Sequence, residues 1–338
     1  MLLDAALLDR LVCPRDRTSL VETGAILYCA HGHHYPVIQG VPVLLVDGPQ
    51  TLSVADATLA AGPTEPDPWH PDALGISPEE RAELMKLPRD ARYVIDPVVS
   101  FLVGATNGIA YKHLVGRLTD YPVPELRLPP GDGRTLLDIG CNWGRWCLAA
   151  TRLGYQTIGI DPSLGAVLAA KRVAAQLGVK AHFVVGDARC LPFRDRSLDT
   201  VFSYSVIQHF SRDDARKTFG EIGRVLASGG RSLLQMPTIF GIRCLYHQFR
   251  VRFREPRNFE VRYWSIPALR RTLRQQVGAS SISVDCYFGI GLQKSDLRLM
   301  PQLLRAAIRT SEVLRHISGW FPPLKYVADS VYAESRKL

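Results

Sequence analysis

Acidic side chains stand at the ends of three short apolar runs, where they could hold a cationic or hydroxyl-bearing ligand. Asp138, Asp161 and Asp187 each close one such run, and Ser203 closes a fourth. Apolar runs separated by helical patterns are typical of βαβ units with parallel strands. Because ligands of such sheets bind beyond the carboxyl ends of the strands, we expect these four side chains to cluster.

The turn after the first run carries two glycines. Residues 136–146 read Leu-Leu-Asp-Ile-Gly-Cys-Asn-Trp-Gly-Arg-Trp, so Gly140 allows a tight turn and Gly144 allows a close approach of helix and backbone. Asp161 follows Gly140 by 21 residues, where a carboxylate accepts hydrogen bonds from the ribose hydroxyls of an adenosine. Since Asp138 enters a turn that would otherwise cradle a pyrophosphate, the pattern favours S-adenosylmethionine, which has an ammonium group and no phosphate.

The order of the motifs resembles that of class I S-adenosylmethionine-dependent methyltransferases. The matching segments lie at 136–144, 159–161, 186–193, 197–209 and 224–230. The resemblance implies an α/β fold with a Rossmann-like, doubly wound sheet, and S-adenosyl-L-methionine as the cofactor.

The resemblance also implies which residues bind the cofactor. They are Asp138, Gly140, Asn142, Gly144, Asp161, Asp187, Ala188 and Ser203. Asp138 would line the methionine moiety, Asp161 would hold the ribose hydroxyls, and Asp187 would accept from the adenine amino group unless it merely caps a helix. Asn142 departs from the family, which usually has glycine there, but asparagine tolerates a positive φ better than most residues.

The segment after the fourth strand supplies candidates for the acceptor side. Ser203 and Tyr204 would lie near the sulfonium and the acceptor. His209 is the candidate general base, because an imidazole titrates near neutral pH. The alternative is that His209 caps or packs the helix that starts near Ser211. The segment lacks the Asn/Asp-Pro-Pro-aromatic run of many base N-methyltransferases, which weakens an RNA acceptor.

An acceptor-side insert at 237–264 combines arginines with aromatic rings. Residues 239–264 hold six arginines and two glutamates, with aromatic residues interleaved. Such a surface suits an anionic or aromatic acceptor, and the alternative is a solvated basic face with the rings in the core. Residues 250–254 alternate with period two, which predicts a strand.

The first 48 residues carry a set of metal-ligand side chains. Cys13, Asp16, Cys29 and His33 are spaced as two knuckles, and all three residue types bind zinc. The segment resembles the small zinc-ribbon activator proteins of translation-factor and tRNA methyltransferases, and the N-terminal ribbon of large-subunit rRNA guanine methyltransferases. Asp16 stands where the ribbon pattern has a second cysteine, and His31 and His34 are alternate ligands. Because a carboxylate is unusual in a structural zinc site, a zinc-loaded module and a metal-free module both stay open.

Changes in composition and in hydrophobic periodicity divide the chain into five parts. They are a zinc-ribbon-like module at 1–48, a Pro-rich linker at 49–77, a helical preamble at 78–133, the Rossmann-like domain at 134–290 and a helical C-terminal extension at 291–338. Within the domain, strands are predicted at 135–139, 156–160, 181–185, 198–203 and 231–236, and helices at 146–153, 164–177 and 213–226. The amphipathic segment 298–317 favours packing onto the body over contact with a membrane surface or a second copy.

The composition of the chain indicates the kind of partner and the cellular compartment. The net charge of +9 favours an anionic partner, such as RNA, a phosphorylated metabolite or a membrane surface. Seven scattered cysteines argue against a disulfide framework. Neither a signal peptide nor an apolar run of about 18 residues is found, so we predict a cytoplasmic protein without a transmembrane segment.

These observations predict an S-adenosylmethionine-dependent methyltransferase that modifies a small-molecule acceptor at oxygen. The first alternative is an rRNA or tRNA methyltransferase, favoured by the ribbon and the positive charge. The second is a non-catalytic S-adenosylmethionine-binding partner protein, suggested by Asn142 and Trp143 in the turn. The oligomeric state stays open.

Overall fold

The fold is taken from a computed structural model. The structure describes residues 2–46, 95–103, 111–114, 117–256, 260–289 and 291–338. The predicted linker at 49–77 lies outside the described residues, as do residues 78–94 of the predicted preamble and Arg257 and Phe259 of the insert.

The chain divides into two compact units, of which the first is Met1–Leu198. Its strands are β1 (Leu20–Thr23), β2 (Ile26–Cys29), β3 (His34–Ile38), β4 (Val41–Leu44), β5 (Thr135–Ile139), β6 (Gln156–Asp161) and β7 (Ala181–Gly186). Its helices are α1 (Ala5–Arg10), α2 (Pro97–Leu102), α3 (Arg145–Arg152) and α4 (Leu164–Gln176). The strand order is β1-β2-β3-β4-β7-β6-β5. β1 to β4 form an antiparallel meander. β4, β7, β6 and β5 run parallel to one another.

The N-terminal module shares its last strand with the parallel sheet. β4 pairs with β7, with Val43 opposite Val185. All four residues of β4 are buried, as expected of a strand covered on both faces. The hairpin before it turns at Gln39 and Gly40, which both have positive φ, the geometry that favours a two-residue hairpin loop. The apolar run of β4 is visible in the sequence, but the prediction of a separate module at 1–48 did not include the pairing of this run with the parallel sheet.

The second unit is Asp199–Leu338. Its strands are β8 (Leu198–Ser203), β9 (Leu226–Pro237), β10 (Ala279–Cys286) and β11 (Ser330–Arg336). Its helices are α5 (Arg212–Val225), α6 (Ile242–Arg250), α7 (Ile266–Gln276) and α8 (Gln302–Trp320). The strand order is β8-β9-β11-β10, and β11 is antiparallel to both of its neighbours.

The predicted strands and helices from 135 to 226 are confirmed to within one residue at each end. The helix caps show why the boundaries could be read. The Ser163 hydroxyl accepts a hydrogen bond from the Ala166 N–H at 3.2 Å, which starts α4. Gly178, with a φ of 62°, follows the end of the same helix.

Three segments differ from the sequence prediction. The strand predicted at 250–254 is wrong, because α6 extends to Arg250 and a turn follows it. The apolar residues of α6 and the turn after it recur at helical spacing, and this pattern outweighs the short period-two alternation at 250–254. β9 begins at Leu226, five residues before the predicted start. The C-terminal extension is helical over α8, but it ends in β11, which the amphipathic pattern does not reach.

Two further findings bear on the environment of the protein. Among the helices of the described residues, none combines the length and the apolar character needed to cross a bilayer. All seven cysteines are free thiols.

Candidate active site

The turn between β5 and α3 is built on three residues with positive φ. Gly140, Asn142 and Gly144 have φ values of 72°, 49° and 83°. The Gly140 N–H donates to the Ile160 carbonyl at 2.8 Å, which docks the turn on β6. A Cβ on Gly144 would lie 3.1 Å from the Ala170 Cβ, so the predicted close approach at this glycine is confirmed.

Asn142 keeps the turn intact where the family usually has glycine. Its Oδ1 accepts a hydrogen bond from the Trp143 N–H at 2.8 Å, and its own N–H donates to Asp161 Oδ2 at 2.9 Å. Asp161 Oδ1 accepts from the Ser163 N–H at 3.0 Å, so this carboxylate joins the turn to the end of β6. The Trp143 ring is fully buried and lies 5.8 Å from the Tyr121 ring.

Asp138 is a buried carboxyl group with one unsatisfied oxygen. It is 1% exposed, and its Oδ2 accepts from the Cys147 thiol at 3.4 Å. Within the described part of the chain, Oδ1 has no hydrogen-bond partner. Burial, with a smaller contribution from the charge of Asp161, raises the pKa of Asp138 to about 7. Because a buried carboxylate is costly unless it is paired, this group fits a cationic ligand such as the ammonium of S-adenosylmethionine.

Asp187 already has partners inside its own turn. It accepts from the Arg189 N–H at 2.8 Å and forms a two-point ion pair with the Arg189 guanidinium, with distances of 2.6 and 3.0 Å. It therefore caps the short helix 188–190, and Ala188 next to it is buried. A contact to an adenine amino group would use a carboxylate that Arg189 already holds in place.

Tyr204 is tied into a buried network of the second unit. Its hydroxyl donates to Asp285 Oδ2 at 3.0 Å, and the Ser330 hydroxyl donates to the same oxygen at 2.7 Å. Burial raises the pKa of Tyr204 well above its usual value, so the phenol stays protonated at neutral pH. Ser203, at the end of β8, is 1% exposed.

His209 is the last residue of a short helical turn to which Arg262 is hydrogen-bonded. The Arg262 N–H donates to the Gln208 carbonyl at 2.8 Å, and its guanidinium donates to the His209 carbonyl at 2.7 Å. Gln208 Nε2 lies 3.2 Å from His209 Nε2. Helix α5 is capped by Ser211, whose hydroxyl accepts from the Asp214 N–H at 3.0 Å. The cap is therefore Ser211 and not His209, and packing of His209 against the start of this helix stays the alternative to a catalytic role.

Sequence reasoning missed two residues of these sites. Arg262 joins the insert to the turn of His209, but nothing in the sequence separates it from the other arginines of the insert. Cys147 donates its thiol hydrogen to Asp138, and its role depends on a contact between α3 and β5 that only the fold creates.

The four predicted metal ligands come together in the first unit. Their ligand atoms all lie within 4.8 Å of one another. His33 Nδ1 lies 3.4 Å from Cys13 Sγ, 3.3 Å from Cys29 Sγ and 3.0 Å from Asp16 Oδ2. A tetrahedral zinc ion with bonds of about 2.0–2.3 Å separates its ligands by about 3.5 Å, so this donor set fits zinc.

The segment that contains the glycine turn matches a known family. Residues 136–230 match the family described as the methyltransferase domain. This segment has the Rossmann-like fold of class I methyltransferases.

Several relatives match the chain over about 100 residues. The chain is 38% identical over 100 residues to the uncharacterized methyltransferase YcgJ of Bacillus subtilis, covering 29% of this chain and 39% of that protein. It is 37% identical over 109 residues to ajmaline N-methyltransferase of Rauvolfia serpentina, covering 31% and 37%. It is 35% identical over 102 residues to the ubiquinone biosynthesis O-methyltransferase of Bradyrhizobium sp., covering 29% and 38%. The match therefore spans well under half of each relative.

A solved structure aligns over a longer part of the chain. The crystal structure of YcgJ from Bacillus subtilis covers 62% of this chain and 94% of its own, with 23% identity and a TM-score of 0.42.

Proposed function

We propose that this protein transfers a methyl group from S-adenosyl-L-methionine to an oxygen of a small-molecule acceptor. The observation that carries the proposal is the buried, half-satisfied carboxyl of Asp138 beside a turn that Asp161 fastens, within the segment that matches the methyltransferase family. When bound, S-adenosylmethionine supplies a methyl group already activated by a sulfonium.

Each cofactor-site residue has a proposed task. Asp138 binds the ammonium group, Asp161 binds the ribose hydroxyls, and Asp187 accepts from the adenine amino group. The remaining residues, Gly140, Asn142, Gly144, Ala188 and Ser203, shape the backbone around the ligand. Because the donor is activated before it binds, correct placement of donor and acceptor supplies much of the catalysis.

An acceptor hydroxyl must lose a proton, and His209 is proposed to take it. Arg262 donates to the His209 carbonyl, which fixes the backbone of this turn. Tyr204 is proposed to position this region and not to exchange protons, since its hydroxyl is buried and bonded to Asp285. The relatives include both O- and N-methyltransferases, and the need for a base is the reason for proposing oxygen.

The class of acceptor can be found by adding S-adenosylmethionine with a labelled methyl group, together with the protein, to a host-cell extract. The label is then located among the fractions of the extract. We expect label in the solvent-extractable, small-molecule fraction, and none with Asp161→Ala. Label that ribonuclease removes would establish the alternative, an RNA methyltransferase. Cofactor binding without any transfer would establish a non-catalytic S-adenosylmethionine-binding protein.

Once an acceptor is known, His209→Gln is expected to lower kcat by about 100-fold or more, because proton transfer by a positioned base contributes about that factor. The Kd of S-adenosylmethionine, measured by calorimetry, should stay unchanged. Tyr204→Phe is the comparison: it should keep most of kcat and lose about 1–3 kcal/mol of the free energy of unfolding, since it removes one of the two buried hydrogen bonds that Asp285 Oδ2 accepts. A wild-type kcat in His209→Gln would remove this residue from the mechanism.

We propose that Cys13, Asp16, Cys29 and His33 hold a structural zinc ion. Protein purified with zinc in the medium should contain about one zinc per chain, and the bound metal should stabilise the module that ends in β4. Cys29→Ser should lose the metal and lower the Tm, whereas Asp16→Cys, which restores the ribbon pattern, should keep it. An unchanged Tm after chelation, with no zinc by elemental analysis, would show that the module folds without metal.

The location proposed for this protein is the cytoplasm, and the free state of all seven cysteines supports a reducing compartment. The arginines and rings of the insert support an anionic or aromatic acceptor.

A further inference from the structure

A row of apolar side chains on α6 faces solvent. Ile242, Tyr246 and Phe249 recur at helical spacing and are 54%, 63% and 62% exposed. Phe253, just beyond the helix, is 57% exposed, and its ring lies 5.0 Å from that of Phe249. These four residues are called the apolar face of α6. A surface helix ordinarily turns such a face towards the core, so this exposure is unusual.

The helix is firmly held with this face outward. Asp329, which is 1% exposed, accepts from the N–H groups of Arg243 and Cys244 at 2.6 and 3.0 Å and so caps α6. On the inner side Cys244 is buried, and the Gln248 amide donates to the Ile239 carbonyl at 2.8 Å. The exposure of the rings is therefore not the result of a loosely attached segment.

The turn after α6 adopts a costly conformation that carries Phe253. Arg252 and Phe253 both have a φ of 53°, a left-handed backbone conformation that is unfavourable for a residue with a side chain. The Phe253 N–H donates to the Gln248 carbonyl at 2.8 Å, which fixes the turn. Strain of this kind tends to persist where the conformation has a use.

The charged residues of the segment that carries the apolar face are all basic. Between residues 239 and 254 the sequence has no Asp or Glu. Arg250 and Arg252 are exposed, and Arg254 forms an ion pair with Glu260. The face thus combines exposed rings with a basic border, which is complementary to an anionic surface.

We propose that the apolar face of α6 docks this protein on an anionic lipid surface. Helices that lie in the plane of a bilayer interface have this arrangement, with aromatic and aliphatic side chains inserted and arginines at the head groups. Bases of a nucleic acid stack on aromatic rings, whereas the exposed aliphatic side chain of Ile242 suits insertion among lipid chains. Docking does not depend on methyl transfer, so its failure and the failure of the proposed function can be told apart.

The test is co-sedimentation of the full chain with phosphatidylcholine vesicles that contain about 30 mol % phosphatidylglycerol or none. We expect binding at least about tenfold stronger with the anionic lipid, and a strong loss when salt is raised from about 0.1 to 0.5 M. Phe249→Ser/Phe253→Ser should weaken binding about tenfold or more through the lost insertion of two rings. Arg250→Glu/Arg252→Glu should remove the preference for anionic lipid.

Matched controls separate docking from general surface effects. Val21→Ser/Leu177→Ser removes exposed apolar groups elsewhere, and Arg271→Glu/Arg274→Glu reverses exposed arginines on α7; neither should change binding. All variants are first checked for the wild-type thermal transition. No binding to the anionic vesicles, or equal losses in the controls, overturns the proposal. The proposal is also overturned if the wild-type chain does not bind vesicles and Phe249→Ser/Phe253→Ser instead abolishes binding to an RNA probe. The same holds if this variant instead dissociates a dimer of the chain.

Discussion

Asp138→Asn is expected to abolish binding of S-adenosylmethionine and, at the same time, to make the ligand-free protein more stable at pH 8. The first effect follows because the neutral amide cannot pair with the ligand's ammonium, and losing a buried charged partner costs about 100-fold or more in affinity. The second follows from burial, because the wild-type carboxylate is ionised above its pKa of about 7 while Oδ1 has no partner among the described residues.

The pH dependence fixes the sign of the stability effect. The pKa of Asp138 is raised in the folded state from 3.8 to about 7. A carboxyl of this kind contributes stability that is fully present below about pH 4 and is lost as the pH rises to 7. Asp138→Asn should therefore gain about 1–4 kcal/mol in the free energy of unfolding at pH 8 and change little at pH 4.

Thermal unfolding at both pH values, with and without S-adenosylmethionine, measures both effects in one series. Asp132→Asn is the matched control, because this aspartate is exposed and its ion pair with Arg134 lies at the surface. If Asp138→Asn still gains stability from the cofactor as the wild type does, the ammonium contact is assigned to the wrong residue.

Gly144→Ala is expected to lower the free energy of unfolding by about 2–4 kcal/mol and to weaken cofactor binding at least about tenfold. The glycine has a φ of 83°, and an added Cβ would lie 3.1 Å from Ala170 Cβ and 3.3 Å from the Phe183 ring. Ala170 and the Phe183 ring must give way to the new methyl group, and alanine is strained at this φ, so the turn that lines the proposed cofactor site shifts.

Asn142→Gly is the comparison at the same turn, because it restores the residue usual in the family at a position that also has positive φ. Relief of backbone strain opposes the loss of the hydrogen bond from the Trp143 N–H, so we expect a change within about 1 kcal/mol. Denaturant unfolding and calorimetric titration measure both variants. Equal destabilisation by the two substitutions would show that the steric contact at Gly144 is not the cause.

Much of the fold could be predicted because its signals are local. The strands and helices between Thr135 and Val225 depend on apolar periodicity, capping by residues such as Ser163, and glycines with positive φ, all of which are visible in neighbouring residues. The ligand types of the metal cluster were visible for the same reason, as cysteine, histidine and aspartate at short spacings. The class of methyltransferase domain followed from the ordered motifs.

What the sequence alone determined, then, is the order of the elements, the class of the domain and the identity of the candidate ligands. The folded chain settles which of these groups have partners: Asp187 is paired with Arg189, Tyr204 is bonded to Asp285, and Asp138 keeps one oxygen that no described residue satisfies. It also decided that β4 joins the parallel sheet and that the last residues of the chain form β11. The Asp187–Arg189 pair is local, but the Tyr204–Asp285 bond and the two strand pairings join residues far apart in the chain. No local periodicity or spacing can encode which distant strand or charge a residue will meet.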